Sequence, residues 1–331
     1  MRAVLLHELG GPERLVLEEV PTPAPAAGEV LVRIRAAALN HRDLFVTRGL
    51  YPKIALPALL GSDGAGEVAA LGDGVTSLHP GSDVVIYPML DWGDDPALRS
   101  PASSILGMPR AGTFAQYVCV PALNVYPKPA HLSFEEAAAI PLGGLTAYRA
   151  LFTRGKLARG ETVLIPGAGG GVQTFVLLFA KQAGARVIAT SSSEEKLERA
   201  RALGADLVLN YAENSSWEKD VRAAGPVDLV VDSSGGETFS KALSVVRPGG
   251  RVVLYGGTHP EANVKLFALF WNELSVLGST MGSPQDFGAM LALLEDGLKP
   301  AVDRVFSMTQ IVAAMRRMDD ASQFGKIVLS W

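Results

Sequence analysis

The stretch Thr162-Val163-Leu164-Ile165-Pro166-Gly167-Ala168-Gly169-Gly170-Gly171-Val172 decides the reading of this chain. A β-prone apolar run leads into a run of glycines and then into a segment, Val172–Ala183, whose apolar stretch Phe175–Ala180 is closed by Lys181. A strand, a Gly-rich turn and a helix in this order bring backbone amides and a helix N-terminus against a pyrophosphate. The literal G-x-G-x-x-G spacing fails. Counted from Gly167 the sixth residue is Val172, and counted from Gly169 it is Thr174. The slot of the third glycine, which permits close packing of helix on strand, holds Gln173. Taken alone, the glycine run leaves a ligand-free tight turn open, so the decision rests on its surroundings.

Those surroundings alternate. Strands are predicted at Thr162–Pro166, Arg186–Thr190, Asp206–Leu209, Val227–Asp232, Arg251–Tyr255 and Leu274–Gly278, with helices between them at Val172–Ala183 and Glu194–Leu203. The second helix starts at a Ser-rich cap and stops at Gly204. Alternating βα units imply an α/β class with a doubly wound parallel sheet. Upstream the texture differs. Residues 1 to about 122 carry short alternating runs such as Val30-Leu31-Val32-Arg33-Ile34-Arg35, punctuated by Gly and Pro, and read as a barrel-like or sandwich-like β domain. Pro21 to Gly28 reads as a loop and residues 88–112 as a surface lobe. Ser133-Phe134-Glu135-Glu136 has capping-box spacing and opens a helix. After Gly282, helices at Asp286–Glu295 and Thr309–Met318 and a last strand at Lys326–Ser330 return to the first domain. The expected division is 1–122 with 281–331, and 123–280.

Composition narrows the class. The chain has 331 residues, 48% of them hydrophobic, enough for two cores, and its net charge is −4 without any block of one sign. Such a balance offers no footprint for nucleic acid or an acidic membrane. Cys119 is the only cysteine, so neither an intrachain disulfide nor a Cys-rich metal site can form. The apolar start ends at His7-Glu8, too soon for a signal peptide, and no segment approaches the ~18 uncharged apolar residues of a membrane span. A soluble cytoplasmic protein is expected.

The second strand of the alternating half bears on the cofactor. An NAD site usually ends this strand with Asp or Glu, about 20 residues past the turn, to hold the ribose hydroxyls. Here it ends Thr190-Ser191-Ser192-Ser193, with Lys196 one turn on. A carboxylate would repel an extra phosphate by roughly 4 kcal/mol at 4 Å and an effective dielectric near 20. Without it, and with hydroxyls and an ammonium nearby, NADP(H) is favoured over NAD(H). The competing reading is that the serines only cap the helix and Lys196 is solvated.

Several stretches together carry a resemblance: LNHRDLFVTRGLYP (39–52), LLGSDGAGEV (59–68), PLGGLTAYRAL (141–151), VLIPGAGGGV (163–172) and VIATSSSEEKLERARALGADLVLNY (187–211). Over nearly its whole length the chain resembles the medium-chain dehydrogenase/reductase superfamily, and within it the zinc-independent quinone oxidoreductases. The resemblance implies a GroES-like β domain built from both chain ends and a Rossmann domain. Zinc-dependent cousins carry a Cys where this chain has Asn40, a His at Ser62, and a Cys or acid near Leu142. Zinc wants thiolate, imidazole or carboxylate, which these three cannot supply, and Asp63 is one carboxylate alone. The lobe 88–112 has none of the cysteines of a structural zinc site. No metal ligand is therefore expected.

The same resemblance implies cofactor roles. Asn40 and Thr146 would flank the nicotinamide, and His41 would contact pyrophosphate. Gly169, Gly170, Gly171 and Val172 would also meet the pyrophosphate, while Ser191, Ser192, Lys196 and Tyr211 would meet the adenosine phosphate. Ser233, Gly256, Gly257 and the backbone near Ser279-Thr280 would line the rest, and Lys326 in the FGKIVL ending would reach the cofactor as well. Each has a plainer alternative: Tyr211 closes a strand, Thr146 packs in a helix, His41 is a satisfied surface residue.

Hydride transfer without a metal needs an electron-poor acceptor. A quinone or an α,β-unsaturated carbonyl delocalises the arriving charge onto oxygen, where one or two hydrogen-bond donors can suffice. A plain alcohol would first need deprotonation, which zinc serves in the cousins. Tyr51, in RGLYP, matches a segment that in mitochondrial-type enoyl thioester reductases carries a catalytic tyrosine; it is a candidate acid, or else a residue packing at the cleft rim. Arg42 and Asp43 read as a structural pair beneath the site. Three functions stay open: a zinc-free NADPH-dependent reductase of quinones or enones, an alcohol dehydrogenase with an atypical metal site, and a nucleotide-binding redox sensor without turnover. Glu273 to Gly278 matches the last Rossmann strand, which in this superfamily often pairs across a twofold axis, so a homodimer or homotetramer is expected.

Overall fold

Strand Thr162–Ile165 is buried at every position, and Val163, Leu164 and Ile165 are wholly shielded from solvent. An apolar run without alternation is what a parallel strand covered on both faces requires. Each of these side chains contributes roughly 1.5–3 kcal/mol by leaving water. The computed structural model describes residues 1–331 and places this strand third in a six-stranded parallel sheet. The order is Leu207–Asn210, Arg186–Ser191, Thr162–Ile165, Val227–Asp232, Val246–Leu254, Ser275–Gly278. Strand order reverses at Thr162–Ile165, the switch point of a Rossmann sheet. Helix Gly171–Gln182 follows it directly, and helix Glu194–Ala202 starts where Ser193 caps the Lys196 amide at 3.4 Å. The fifth strand begins at Val246 rather than at Arg251. Val246 pairs with Val227, and an irregularity across Arg247–Gly250 then restores the register at Arg251 opposite Leu229.

The other half is antiparallel apart from one pair. Its main sheet runs Val125–Pro127, Asp83–Ile86, Asp63–Leu71, Glu29–Ala38, Lys326–Ser330, Val302–Ser307, and Tyr117–Pro121 also pairs with Glu29–Ala38. The last strand lies antiparallel to Glu29–Ala38, Val328 opposite Ala38. The chain end is thus stitched into a sheet begun near the other end. Phe114, Leu6, Ile34, Leu60, Ile86 and Leu106 lie in its core. The lobe 88–112 is no loose loop: Met89–Leu90 pairs with Ser104–Ile105, and Trp92 is 3% exposed.

The chain divides into two compact units, Met1–Gly143 with Ser283–Trp331, and Gly144–Gly282. The join falls later than the change of texture at 123. Val125–Pro127 pairs with Asp83–Ile86, and helix Phe134–Ala138, closed by the Ser133/Glu136 capping box, packs on Glu29–Ala38 and Asp63–Leu71. No helix is long and apolar enough to cross a membrane.

Candidate active site

In the first unit, polar side chains are drawn into an otherwise apolar core at the end of strand Glu29–Ala38. Asn40 sits at the N-cap of helix His41–Thr47, where the Asp43 carboxylate reaches back to the Asn40 amide at 2.9 Å. Asp63 opens the neighbouring strand and is fully buried. The last strand brings Lys326 alongside, its amide held by Ala301 O at 2.8 Å while Ile327 O accepts from the Leu39 amide at 3.0 Å. The result is a buried ammonium. Lys326 Nζ donates to Leu39 O at 2.7 Å, Asn40 Oδ1 at 2.7 Å and Asp63 Oδ2 at 2.9 Å. An ammonium has three donors, and these use all of them. Asn40 Nδ2 donates to the same Asp63 oxygen at 3.0 Å, and the Leu142 amide donates to the other at 2.8 Å.

A second buried cation lies beside it. Arg42 Nη1 donates to Ser62 Oγ at 2.8 Å and Leu106 O at 3.1 Å, and stands 3.9 Å from Asp43 Oδ1. Its guanidinium lies 5.0 Å from the Tyr51 ring centroid. Arg42 Nε and Nη2 and Asp43 Oδ1 have no partner. Burial pushes the Asp43 carboxyl up to about 6, against the pull of Arg42. The His41 side chain is exposed, and the protein packed around its ring together with the Lys326 charge holds it below the usual histidine range.

The zinc expected from dehydrogenase cousins does not fit this arrangement. At the three ligand positions stand a carboxamide, a hydroxyl already bonded to Arg42 and Leu106 O, and a leucine. The one carboxylate nearby is bonded to an ammonium, which would compete with any cation. Nowhere do three or more His, Cys, Asp or Glu side chains come together to hold a metal ion.

In the second unit the chemistry runs the other way, toward groups left open. Gly167 and Gly169 have φ of 74° and 116°, a region that favours glycine, and they swing the chain from the strand into helix Gly171–Gln182. No side chain caps that helix and no acid stands in its first turn, so its leading amides are free for an anion. Gln173, in the slot of the third glycine, is buried and donates from Nε2 to Ser233 Oγ at 2.5 Å. It ties the start of this helix to the end of the fourth strand. There Asp232 accepts from the amides of Ser234 and Gly235, both at 3.0 Å. At the ends of the next two strands, the Ser279 hydroxyl is buried without a hydrogen-bond partner and the Tyr255 hydroxyl is buried facing Ser233. Burial pushes the Tyr255 phenol well above its usual range. Unfilled amides and an unfilled hydroxyl gathered at the carboxyl ends of parallel strands suit a dinucleotide.

The remaining expected residues are placed as follows. Ser191 is buried, its Oγ accepting from the Ser193 amide at 3.2 Å, and its carbonyl accepts from the Tyr211 amide at 3.0 Å. Ser192 is exposed, Lys196 and Val172 are half-buried, and Tyr211 is open to solvent. Gly256 and Gly257 are exposed, and a Cβ on Gly256 would stand 3.3 Å from that of Ser233. Thr146 is buried in helix Pro141–Tyr148. Lys326, expected to reach the cofactor, instead turns all three donors inward. Sequence reading missed that role, along with Asp232 and Tyr255. A lysine interrupting an apolar strand was the available signal for the first.

A Rossmann sheet with an open phosphate turn, joined to a β unit built from both chain ends, defines a nicotinamide-dependent oxidoreductase. Residues 26–130 match the alcohol dehydrogenase GroES-like domain and residues 171–296 the zinc-binding dehydrogenase model. A zinc-type alcohol dehydrogenase-like protein, YogA, of Leptosphaeria maculans is 36% identical over 337 aligned residues, covering 95% of this chain and 94% of that protein. An acryloyl-coenzyme A reductase of Metallosphaera sedula is 30% identical, covering 100% of both chains. The crystal structure of an NAD-dependent alcohol dehydrogenase matches with a TM-score of 0.94 at 41% identity, covering 100% of both chains. The chain belongs to the medium-chain dehydrogenase/reductase superfamily.

Proposed function

We propose that this chain is an NADPH-dependent reductase that passes hydride to a quinone or an α,β-unsaturated carbonyl without a metal ion. The observation that carries this reading is the Lys326 ammonium, bonded to Leu39 O, Asn40 and Asp63 among the positions where a zinc-type enzyme keeps its ligands. With no Lewis acid to drive alkoxide formation, alcohol oxidation loses its main support. An acceptor whose charge spreads onto oxygen needs only hydrogen-bond donors there. The acryloyl-coenzyme A reductase at 30% identity lends weight, since its name describes reduction of a conjugated thioester.

NADPH, when bound, supplies the hydride. Gly169, Gly170, Gly171 and Val172 then hold the pyrophosphate on the uncapped helix. Ser191, Ser192, Lys196 and Tyr211 take the 2′-phosphate, and Thr146, Ser233, Gly256, Gly257 and Ser279 line the remainder. In the first unit Asn40 and Tyr51 serve the acceptor and His41 the pyrophosphate. With hydride supplied to an electron-poor carbon of the acceptor, the displaced electron pair would rest on the acceptor oxygen, where the Tyr51 hydroxyl would donate a hydrogen bond or a proton. Preference for NADPH rests on the strand end Thr190-Ser191-Ser192-Ser193, not on relatives, one of which is named for NAD.

The chain also offers an oligomer surface. Ser275–Gly278 ends the sheet order, and the short helix before it exposes Leu266, Phe267, Phe270 and Trp271. A second copy covering both gives the homodimer, and sedimentation velocity separates it from a tetramer or monomer. The function itself is tested by NADPH oxidation with a quinone or enone after exhaustive chelation. Turnover should survive undiminished. Loss of turnover on chelation, or stoichiometric zinc in the purified protein, overturns the reading.

A further inference from the structure

We propose that Lys326 is a positioning residue that fixes which way the Asn40 carboxamide faces, and so presents one Asn40 N–H to a carbonyl-type oxygen of the ligand. This rests on the reductase reading above. An asparagine amide can turn over, exchanging its oxygen and nitrogen. Here both neighbours select the same orientation. Lys326 Nζ offers a hydrogen to Oδ1 at 2.7 Å, and Asp63 Oδ2 accepts one from Nδ2 at 3.0 Å. Turned over, the amide would set donor against donor at Lys326 and acceptor against acceptor at Asp63. The clamp is itself held, because Asp63 Oδ1 takes the Leu142 amide at 2.8 Å and the Asp63 carbonyl takes the Thr113 hydroxyl at 2.7 Å.

Counting hydrogens gives the function. Asn40 Nδ2 carries two and Asp63 takes one. The other has no acceptor in the chain, although Asn40 is 7% exposed. A nearly buried amide hydrogen without an acceptor costs stability until something accepts from it. The oxygen that does so is a carbonyl, either that of the acceptor or that of the nicotinamide carboxamide. Lys326 has no donor left to reach either one. It acts through Asn40.

The test compares wild type with K326M/D63N, N40A and the triple variant. K326M/D63N removes both charges together, leaves no lone buried ion, and gives Asn40 a neighbour that favours the turned-over amide. With NADPH and a quinone, kcat should fall at least about tenfold in K326M/D63N and in N40A, and the triple variant should lose no more than N40A alone. An NADPH dissociation constant that stays put assigns the acceptor's carbonyl as partner; one that weakens in step assigns the nicotinamide carboxamide. Unchanged kcat in a folded K326M/D63N, or losses that multiply in the triple variant, overturns the proposal. A second arm needs no turnover and no folded double variant. In protein labelled with 15N-asparagine, the Asn40 side-chain pair, identified by its absence in N40A, should show one hydrogen protected from exchange and one not. Two rapidly exchanging hydrogens overturn the positioning role even if the enzyme is active. If no acceptor is turned over, the reductase reading fails while this arm still decides the clamp.

Discussion

The ends of the two units treat their polar groups in opposite ways. In the first, the Lys326 ammonium and the Asp63 carboxylate are buried with their bonds made inside the protein. In the second, a helix N-terminus has no side-chain cap and the Ser279 hydroxyl has no hydrogen-bond partner. A protein tolerates unmade polar bonds where a ligand completes them, and must complete its own where none comes. One cluster is closed by bonds within the protein, and the other leaves donors unmatched.

The sharpest way to break that contrast is Asp63→Ala. It leaves a 4% exposed ammonium with two neutral acceptors and no counter-charge. Removing one partner of a buried pair costs about 3–5 kcal/mol, whereas removing both together is often nearly neutral. Urea denaturation should show the full loss for D63A and a much smaller one for K326M/D63N. A loss below about 1 kcal/mol for D63A would mean water reaches the cluster, since exposed pairs are worth that little, and the contrast between closed and open ends would collapse.

Asp43 sharpens the same side, since it lies beside the Lys326–Asp63 pair and, like Arg42, is incompletely bonded. Its Oδ2 accepts from the Asn40 amide, while Oδ1 has no partner. Burial lifts its carboxyl from an ordinary 3.8 to about 6. The folded state then holds this proton more tightly than the unfolded chain does, so stability from this group is present below the unfolded value and is lost as pH rises toward 6. Two units of difference correspond to at most about 3 kcal/mol. Asp43→Asn keeps an oxygen for the Asn40 amide and removes the titration. Its stability relative to wild type should therefore climb between pH 4.5 and 7 in chemical denaturation. A constant difference across that range would mean Arg42, 3.9 Å away, pairs with the carboxylate more fully than this geometry allows.

Both sides of the contrast were unequally legible in the sequence. The open end was readable because its signals are local: glycines, a strand before them, a helix after, all within one βα unit. Thr162–Ile165 and Lys326–Ser330 stand where their apolar runs put them. The fifth strand extends further back than its apolar run Arg251–Tyr255 suggests, because Val246 already pairs with Val227 before Pro248-Gly249-Gly250. Helix Pro141–Tyr148 is legible only through Thr146, because PLGGLTAY has no polar face to give it a period and mark its bounds. The closed cluster was half legible. Asn40, Ser62 and Leu142 were readable as poor metal ligands, but the cation that stands there comes from 286 and 263 residues further along the chain than its side-chain partners. Pairing at such separation is set by sheet register, which local pattern does not encode.

The smallest effect expected bears on the open end and on which nucleotide it takes. Ser191 ends the second strand with its Oγ on the Ser193 amide, beside exposed Ser192 and Tyr211. Ser191→Asp would place a carboxylate where an NAD site carries one, able to hold ribose hydroxyls and to repel a 2′-phosphate. The surroundings are wet, so salt and water screen much of that repulsion. A shift of about tenfold in kcat/KM from NADPH toward NADH, near 1.4 kcal/mol, is the expected size. The measurement is the ratio of the two specificity constants in wild type and variant at one ionic strength. A wild type that prefers NADH, or a ratio unmoved by the new charge, would mean the serines only cap helix Glu194–Ala202 and that no phosphate is recognised at this strand end.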